Sequence, residues 1–145
     1  LDICKETKHP YELFLKEMGN NHESLKKHLT DILCALEQKY TDRKKGIFFS
    51  NDTHANIFLN LLVRKYGSLP EDYLIIGFDN SPVSREALIP ISTIGQQIDK
   101  IAYEAVSLLI EQINGRKKRR PVLLKEPVHK VITPVLLKRE TTERI

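Results

Sequence analysis

Cysteine is nearly missing from this chain of 145 residues: Cys4 and Cys34 are the only two. They lack the spacing of a metal site, so the sequence reads as that of a reduced, cytoplasmic protein with structural thiols. Long apolar runs are missing too. No stretch approaches the ~18 residues that span a bilayer, and no membrane partner is expected. No signal-peptide pattern is visible, although the first residue is Leu1. The glycine-rich phosphate loop, the Gly-x-Ser-x-Gly elbow and the His-Glu-x-x-His zinc motif do not occur. The histidines, His9, His22, His28, His54 and His129, are scattered, and His22 and His28 are not at helical ligand spacing. These absences argue against an enzyme, a metal site and a cofactor.

What is present is ordinary for a soluble globular protein: 41% hydrophobic and 29% charged residues, which excludes wholesale disorder. The length fits one domain or a large piece of a bigger one. The formal net charge of +4 is modest but uneven, because Arg116 to Arg120 are all basic. Such a run could contact phosphates. It lies between Asn114-Gly115 and Pro121, however, and has no interleaved aromatic to stack on bases, so it reads first as a solvated loop.

Periodicity places the elements. Leu25, Leu29, Ile32, Leu33 and Leu36 form one apolar stripe of a helix from Ser24, its expected cap, to about Gln38. Ile47–Ser50 and Leu74–Phe78 are short, evenly apolar runs that read as strands buried on both faces. Between them a helix is expected from His54 to about Lys65, with Gly67 just beyond its end. A helical turn at Ser84–Leu88, a strand at Ile91–Ile94 and a helix over Asp99–Ile113 follow. Val122–Leu124 and Val131–Leu137 read as strands, with Pro134 pushing part of the last one to an edge. Strands alternating with helices predict an α/β fold: a parallel sheet flanked by helices, with right-handed crossovers.

The helix from His54 to Lys65 is unusual. Ala55, Ile57, Phe58, Leu59, Leu61, Leu62 and Val63 cover roughly two-thirds of its circumference at ~100° per residue. A helix on one sheet needs a narrower arc. A second copy of the chain is therefore expected against Ile57, Phe58, Leu61 and Leu62, unless the excess is buried inside one larger domain.

Parallel neighbours bring Asn51-Asp52 and Asp79-Asn80 to the same sheet edge, where open α/β sheets bind ligands. Carboxylates and amides together suit a neutral, hydroxyl-rich molecule. Asp52 reads first as a helix cap and Asp79 as a ligand contact, since no long helix obviously follows it.

Four segments now stand in order: Ser50-Asn51-Asp52-Thr53-His54-Ala55, Leu69 to Asn80, Pro90-Ile91-Ser92-Thr93-Ile94-Gly95-Gln96, and Leu136-Leu137-Lys138-Arg139-Glu140-Thr141. Together, over about residues 45–142, they resemble the effector-binding domain of the LacI/GalR family of bacterial transcription regulators. The resemblance implies a type I periplasmic-binding-protein-like fold. In that family two α/β lobes close on a sugar or sugar derivative, and a separate N-terminal module reads DNA as a dimer. It assigns ligand contacts to Asn51, Asp79 and Gln96, and a mainly structural role to Asp52. The family's sensing domain is about twice as long as this chain. By the resemblance, 1–96 and 128–145 correspond to the C-terminal lobe and 97–127 to a segment of the other lobe. The apolar stripe of the helix over 99–113 would then lack its bed, and association of the chain is expected. DNA would be reached only through an upstream module not in this sequence. The alternatives are a secreted sugar-binding protein of a transport system, which shares the fold, and an α/β enzyme using Asp52 and Asp79.

Overall fold

A computed structural model of the protein describes residues 21–116 and 127–143, which fall in two compact units, Leu1–Arg43 and Lys44–Ile145. The expected strand at Val122–Leu124, Lys117 to Arg120 of the basic run, and Cys4 lie outside the described residues.

The first unit contributes helix α1, His22–Lys39. It starts two residues before Ser24, because the Asn21 side chain accepts the Glu23 N–H at 3.0 Å and caps the first turn instead. Leu29, Leu33 and Leu36 are its buried stripe, as the spacing predicts. Cys34 is exposed and carries a free thiol.

The second unit runs β1 (Lys45–Phe48), α2 (Asp52–Tyr66), β2 (Tyr73–Phe78), α3 (Pro82–Glu86), β3 (Ser92–Gly95), α4 (Ile98–Arg116) and β4 (Val135–Leu137). The sheet order is β1-β2-β3-β4. β1–β2 and β2–β3 are parallel, and β4 returns antiparallel to β3 as an edge strand. β4 begins only after Pro134, whose missing N–H cannot join a ladder.

β2 does not have both faces equally buried, as its unbroken apolar run suggests. Tyr73, Ile75 and Gly77 are buried, while Leu74, Ile76 and Phe78 are half-buried. The buried face lies under α2, where Phe58 packs 5.3 Å from the Phe49 ring and 6.5 Å from the Tyr73 ring. Ala55, Phe58, Leu59 and Leu62 are all 0% exposed and form the centre of this core. Phe58 and Leu62 were expected at a partner surface. Their burial against the chain's own sheet overturns that assignment, because a side chain without exposed surface has nothing to offer a second copy. Ile57 and Leu61, one position away on the helical wheel, stay half-buried.

Gly67 ends α2 in the left-handed conformation (φ 80°), donating its N–H to the Val63 carbonyl at 2.8 Å. At the amino ends of the strands, buried Lys45 pairs with Asp72 and lies 4.8 Å from the centre of the Tyr73 ring. The chain end is tied to the sheet by Thr141. Its hydroxyl donates to the Ile75 carbonyl at 2.7 Å and accepts the Ser92 N–H at 2.8 Å. No helix among the described residues is long and apolar enough to cross a membrane.

Candidate functional site at the carboxyl rim of the sheet

Because β1 and β2 run parallel, the residues that follow them leave the sheet at the same edge. Asn51 follows β1, Asp79-Asn80 follows β2, and Gln96 follows β3. Each is polar where the strand's apolar run stops, so the chain exchanges ladder hydrogen bonds for side-chain contacts at this rim.

Asn51, expected as a ligand contact, is also the N-cap of α2: its Oδ1 accepts the His54 N–H at 2.8 Å. That bond fixes the amide, and its Nδ2 keeps both donors uncommitted among the described residues. Asp79 and Gln96 come together, with Gln96 Nε2 donating to Asp79 Oδ1 at 2.7 Å. Asp79 Oδ2 and Gln96 Oε1 remain as acceptors. The three residues that resemblance assigned to the ligand thus supply amide donors on one strand end and two acceptors on the next two.

Asp52 is not the cap. It is the first residue of α2 and is 1% exposed. Its Oδ2 accepts the Ser81 N–H at 2.7 Å and the Ser81 hydroxyl at 3.0 Å, and its Oδ1 accepts the Thr93 hydroxyl at 2.6 Å. Three neutral donors satisfy a buried carboxylate, which is what makes its burial tolerable. Asp52 thus fastens the rim across two strands instead of closing its own helix. Gly77 leaves the room for this: a Cβ there would lie 2.3 Å from Asp52 Oδ1. Gly77 and Thr93 are register partners on β2 and β3, so Asp52 reaches over the missing side chain to its neighbour.

The turn after β2 is held in a costly conformation. Asp79 has φ 99° and Asn80 φ 53°, both in the left-handed half of the map that non-glycine residues rarely adopt. Asp79 N–H donates to the Ile94 carbonyl at 2.9 Å, and Asn80 N–H donates to the Thr93 hydroxyl at 3.2 Å. Arg139 donates to Asn80 Oδ1 at 2.8 Å. Thr93, Ser81 and Arg139 were not singled out from the sequence as rim residues. Their partners lie tens of residues away, and no local spacing announces them.

His54, in the first turn of α2, has its pKa lowered by burial, which disfavours the imidazolium. Among the described residues no three His, Cys, Asp or Glu side chains are grouped to hold a metal ion.

Residues 1–133 match the periplasmic binding protein-like domain family. The chain belongs to that family. Within it, the chain corresponds to part of the effector-binding domain of LacI/GalR-type regulators. It is 30% identical over 113 residues to the HTH-type transcriptional repressor PurR of Mannheimia succiniciproducens, a match covering 78% of this chain and 30% of that repressor. The fold superposes on a putative transcriptional regulator of the LacI family from Sanguibacter keddieii with a TM-score of 0.76. That match has 22% identity and covers 98% of this chain and 51% of the other. It also superposes on the transcriptional regulator CelR in complex with cellobiose, with a TM-score of 0.71 at 21% identity, over 97% of this chain and 39% of the other. The chain spans 25% to 30% of the length of the PurR relatives it matches.

Proposed function

We propose that this chain is the C-terminal part of the sensing domain of a ligand-controlled transcription repressor. It would bind a small hydroxyl-rich effector, a sugar or sugar derivative, at the rim formed by Asn51, Asp79 and Gln96. The observation that carries this reading is the Asp79–Gln96 pair, held at 2.7 Å with one acceptor left on each side chain, at the same sheet edge as the Asn51 amide, whose Nδ2 is uncommitted among the described residues. Adjacent acceptors and an amide donor match neighbouring hydroxyl groups, which both donate and accept.

The rest of the cleft comes from a second lobe, to which residues 97–127 belong. Supporting this, α4 exposes Ile98, Ile101, Val106, Leu109, Ile110 and Ile113 by 43% to 62%, an apolar stripe with no bed among the described residues. Closure of the lobes on the effector changes the relation of two subunits, packed through the outer stripe of α2 around Ile57 and Leu61. That change alters the spacing of DNA-reading modules carried upstream, in a cytoplasmic dimer.

The test is isothermal titration of the full-length parent against a panel of mono- and disaccharides that includes cellobiose, with Asp79→Ala alongside. A carboxylate–hydroxyl bond is worth ~1.5–3 kcal/mol. Affinity for the sugar that binds should therefore fall about 10- to 150-fold, at ~1.4 kcal/mol per tenfold, with the melting temperature nearly unchanged. Equal affinity of the variant would remove Asp79 from the site.

A further inference from the structure

The carboxyl-terminal segment carries Arg139, and among the described residues none of its hydrogen-bond partners is a carboxylate. Nη2 donates to Asn80 Oδ1 at 2.8 Å, and Nη1 donates to the Ile91 carbonyl at 2.8 Å and to Ser84 Oγ at 3.2 Å. Ile91 and Ser84 are both 0% exposed, so the far end of the guanidinium rests on fixed ground. The base of the residue is fixed as well, because its backbone N–H donates to Ser92 Oγ at 2.8 Å. A planar fork held at both ends presents its Nη2 donor to the Asn80 side chain.

Asn80 is the residue that turns left-handed (φ 53°) directly after Asp79, itself at φ 99°. Two consecutive non-glycine residues in this region persist only when neighbours over-determine them. Asp52 holds the turn from the α2 side through Ser81. Arg139 holds it from the chain end. The geometry points to Arg139 as the positioning residue of the site: through Asn80 it fixes the backbone that aims the Asp79 carboxylate at Gln96 and at the ligand. This rests on the reading of Asp79 as a ligand contact. It makes the last segment of the chain, distant in sequence, a working part of the rim. The guanidinium fork rests on three neutral oxygens from three separate places in the fold, which fixes its plane and with it the position of Asn80 Oδ1.

Amide hydrogen exchange and side-chain amide NMR on the 145-residue chain test it. In Arg139→Gln the Asn80 and Ser81 amides should exchange at least tenfold faster relative to the Phe49 amide, which is bonded to Ile76 across β1–β2. The shift difference between the two Gln96 Nε2 protons should move toward that of a free side-chain amide as the 2.7 Å bond to Asp79 loosens. Arg139→Lys keeps the charge but not the fork, and should loosen the turn in the same way. Asn80→Gly removes the acceptor while glycine accepts the backbone angle. The double variant Arg139→Gln with Asn80→Gly should exchange no faster at Ser81 than the more affected single variant, since the two residues act through each other. Multiplying effects, full restoration by Arg139→Lys, or a loss of protection equal at Ser81 and Phe49 would each overturn the assignment. Such a result would leave Asp79's ligand role standing. A parent that binds no sugar in the titration above would instead remove that role and leave these exchange rates as they are.

Discussion

Replacing Gly77 by alanine is a sharp test of how the rim is built, because a single methyl lands on a buried carboxylate that accepts three hydrogen bonds. The added Cβ would stand 2.3 Å from Asp52 Oδ1, 3.2 Å from Asp52 Cα and 3.3 Å from Asp52 Cγ. Real Cβ atoms do not approach another atom to 2.3 Å, so Oδ1 must move, and the 3.2 Å approach to the Asp52 backbone stays tight even after the carboxylate turns aside. Overpacking of a close-packed site costs ~1–3 kcal/mol. Displacing Oδ1 also breaks its 2.6 Å bond to the buried Thr93 hydroxyl, a charged hydrogen bond worth ~1.5–3 kcal/mol. The expected destabilisation is therefore about 3–5 kcal/mol, a large share of the ~5–15 kcal/mol that a domain has.

The structure supplies its own control. Gly46, on the neighbouring strand, has nothing within 4 Å of an added Cβ. Gly46→Ala should leave stability within about 1 kcal/mol of the original, on the stabilising side, because alanine restricts the unfolded chain. Urea unfolding of both variants followed by circular dichroism measures the difference. With a slope of ~1.5–2 kcal/mol/M, Gly77→Ala should lower the midpoint by about 2 M while Gly46→Ala does not. Adding Thr93→Val, which removes the hydroxyl at nearly constant shape, should cost less in the Gly77→Ala background than alone, because the bond it removes is already broken. If the two glycine variants unfold within 1 kcal/mol of each other, the close approach of α2 to β2 is not what holds Asp52.

Asn51 has two roles that substitution can separate. Asn51→Ala should cost ~1 kcal/mol of stability through the lost cap and also weaken effector binding. Asn51→Asp should keep the cap and lose only the binding, as read by paired melting and titration curves. His54 gives a pH prediction. Its folded pKa lies below the 6.5 of the free side chain. Its neutral form thus contributes stability that is present above pH 6.5 and lost as pH falls through the folded value. The melting temperature should therefore drop less between pH 7.5 and 5.5 in His54→Gln than in the parent sequence. An equal or larger drop would show that His54 is not the group being charged.

Much of the second unit was legible in the sequence, for identifiable reasons. β2 announced itself by an apolar run too short for a helix, closed by a glycine and an acid. α2 ended where Gly67 could turn left-handed. The parallel rim followed from alternation of strands and helices, and it placed Asn51 and Asp79 correctly because strand direction alone decides which end of the sheet a loop leaves. The fastenings were not legible. Asp52 meets Thr93 across 41 positions and Arg139 meets Asn80 across 59, and these distances close only once the strands have paired. Asp52 read as a cap for the same reason: locally, an Asn and an Asp before a helix are interchangeable acceptors, and only the reach over Gly77 shows which one turns inward. The boundary of β4 was overestimated because an apolar run continues across Pro134, where hydrogen bonding to the edge cannot.

The broad apolar arc of α2 illustrates where pattern reasoning overshoots and what survives. Seven apolar residues around one helix suggested two burial surfaces, and four of them were assigned to a partner. The core beneath α2 is deeper than a flat sheet face, since Phe49 and Tyr73 both rise against Phe58. The inner surface therefore absorbs Phe58 and Leu62 together with Ala55 and Leu59. Of the four assigned to a partner, the half-buried pair Ile57 and Leu61, one turn apart, is left to face a second subunit. The two classes should respond differently to substitution in the full-length parent. Phe58→Ala empties a close-packed site and should cost ~3–5 kcal/mol whatever the assembly state. Leu61→Glu should leave the fold's melting behaviour largely intact while placing like charges face to face across a two-fold interface, so sedimentation should shift toward the monomer. A Leu61→Glu protein that sediments as a dimer would move the partner surface off this helix altogether.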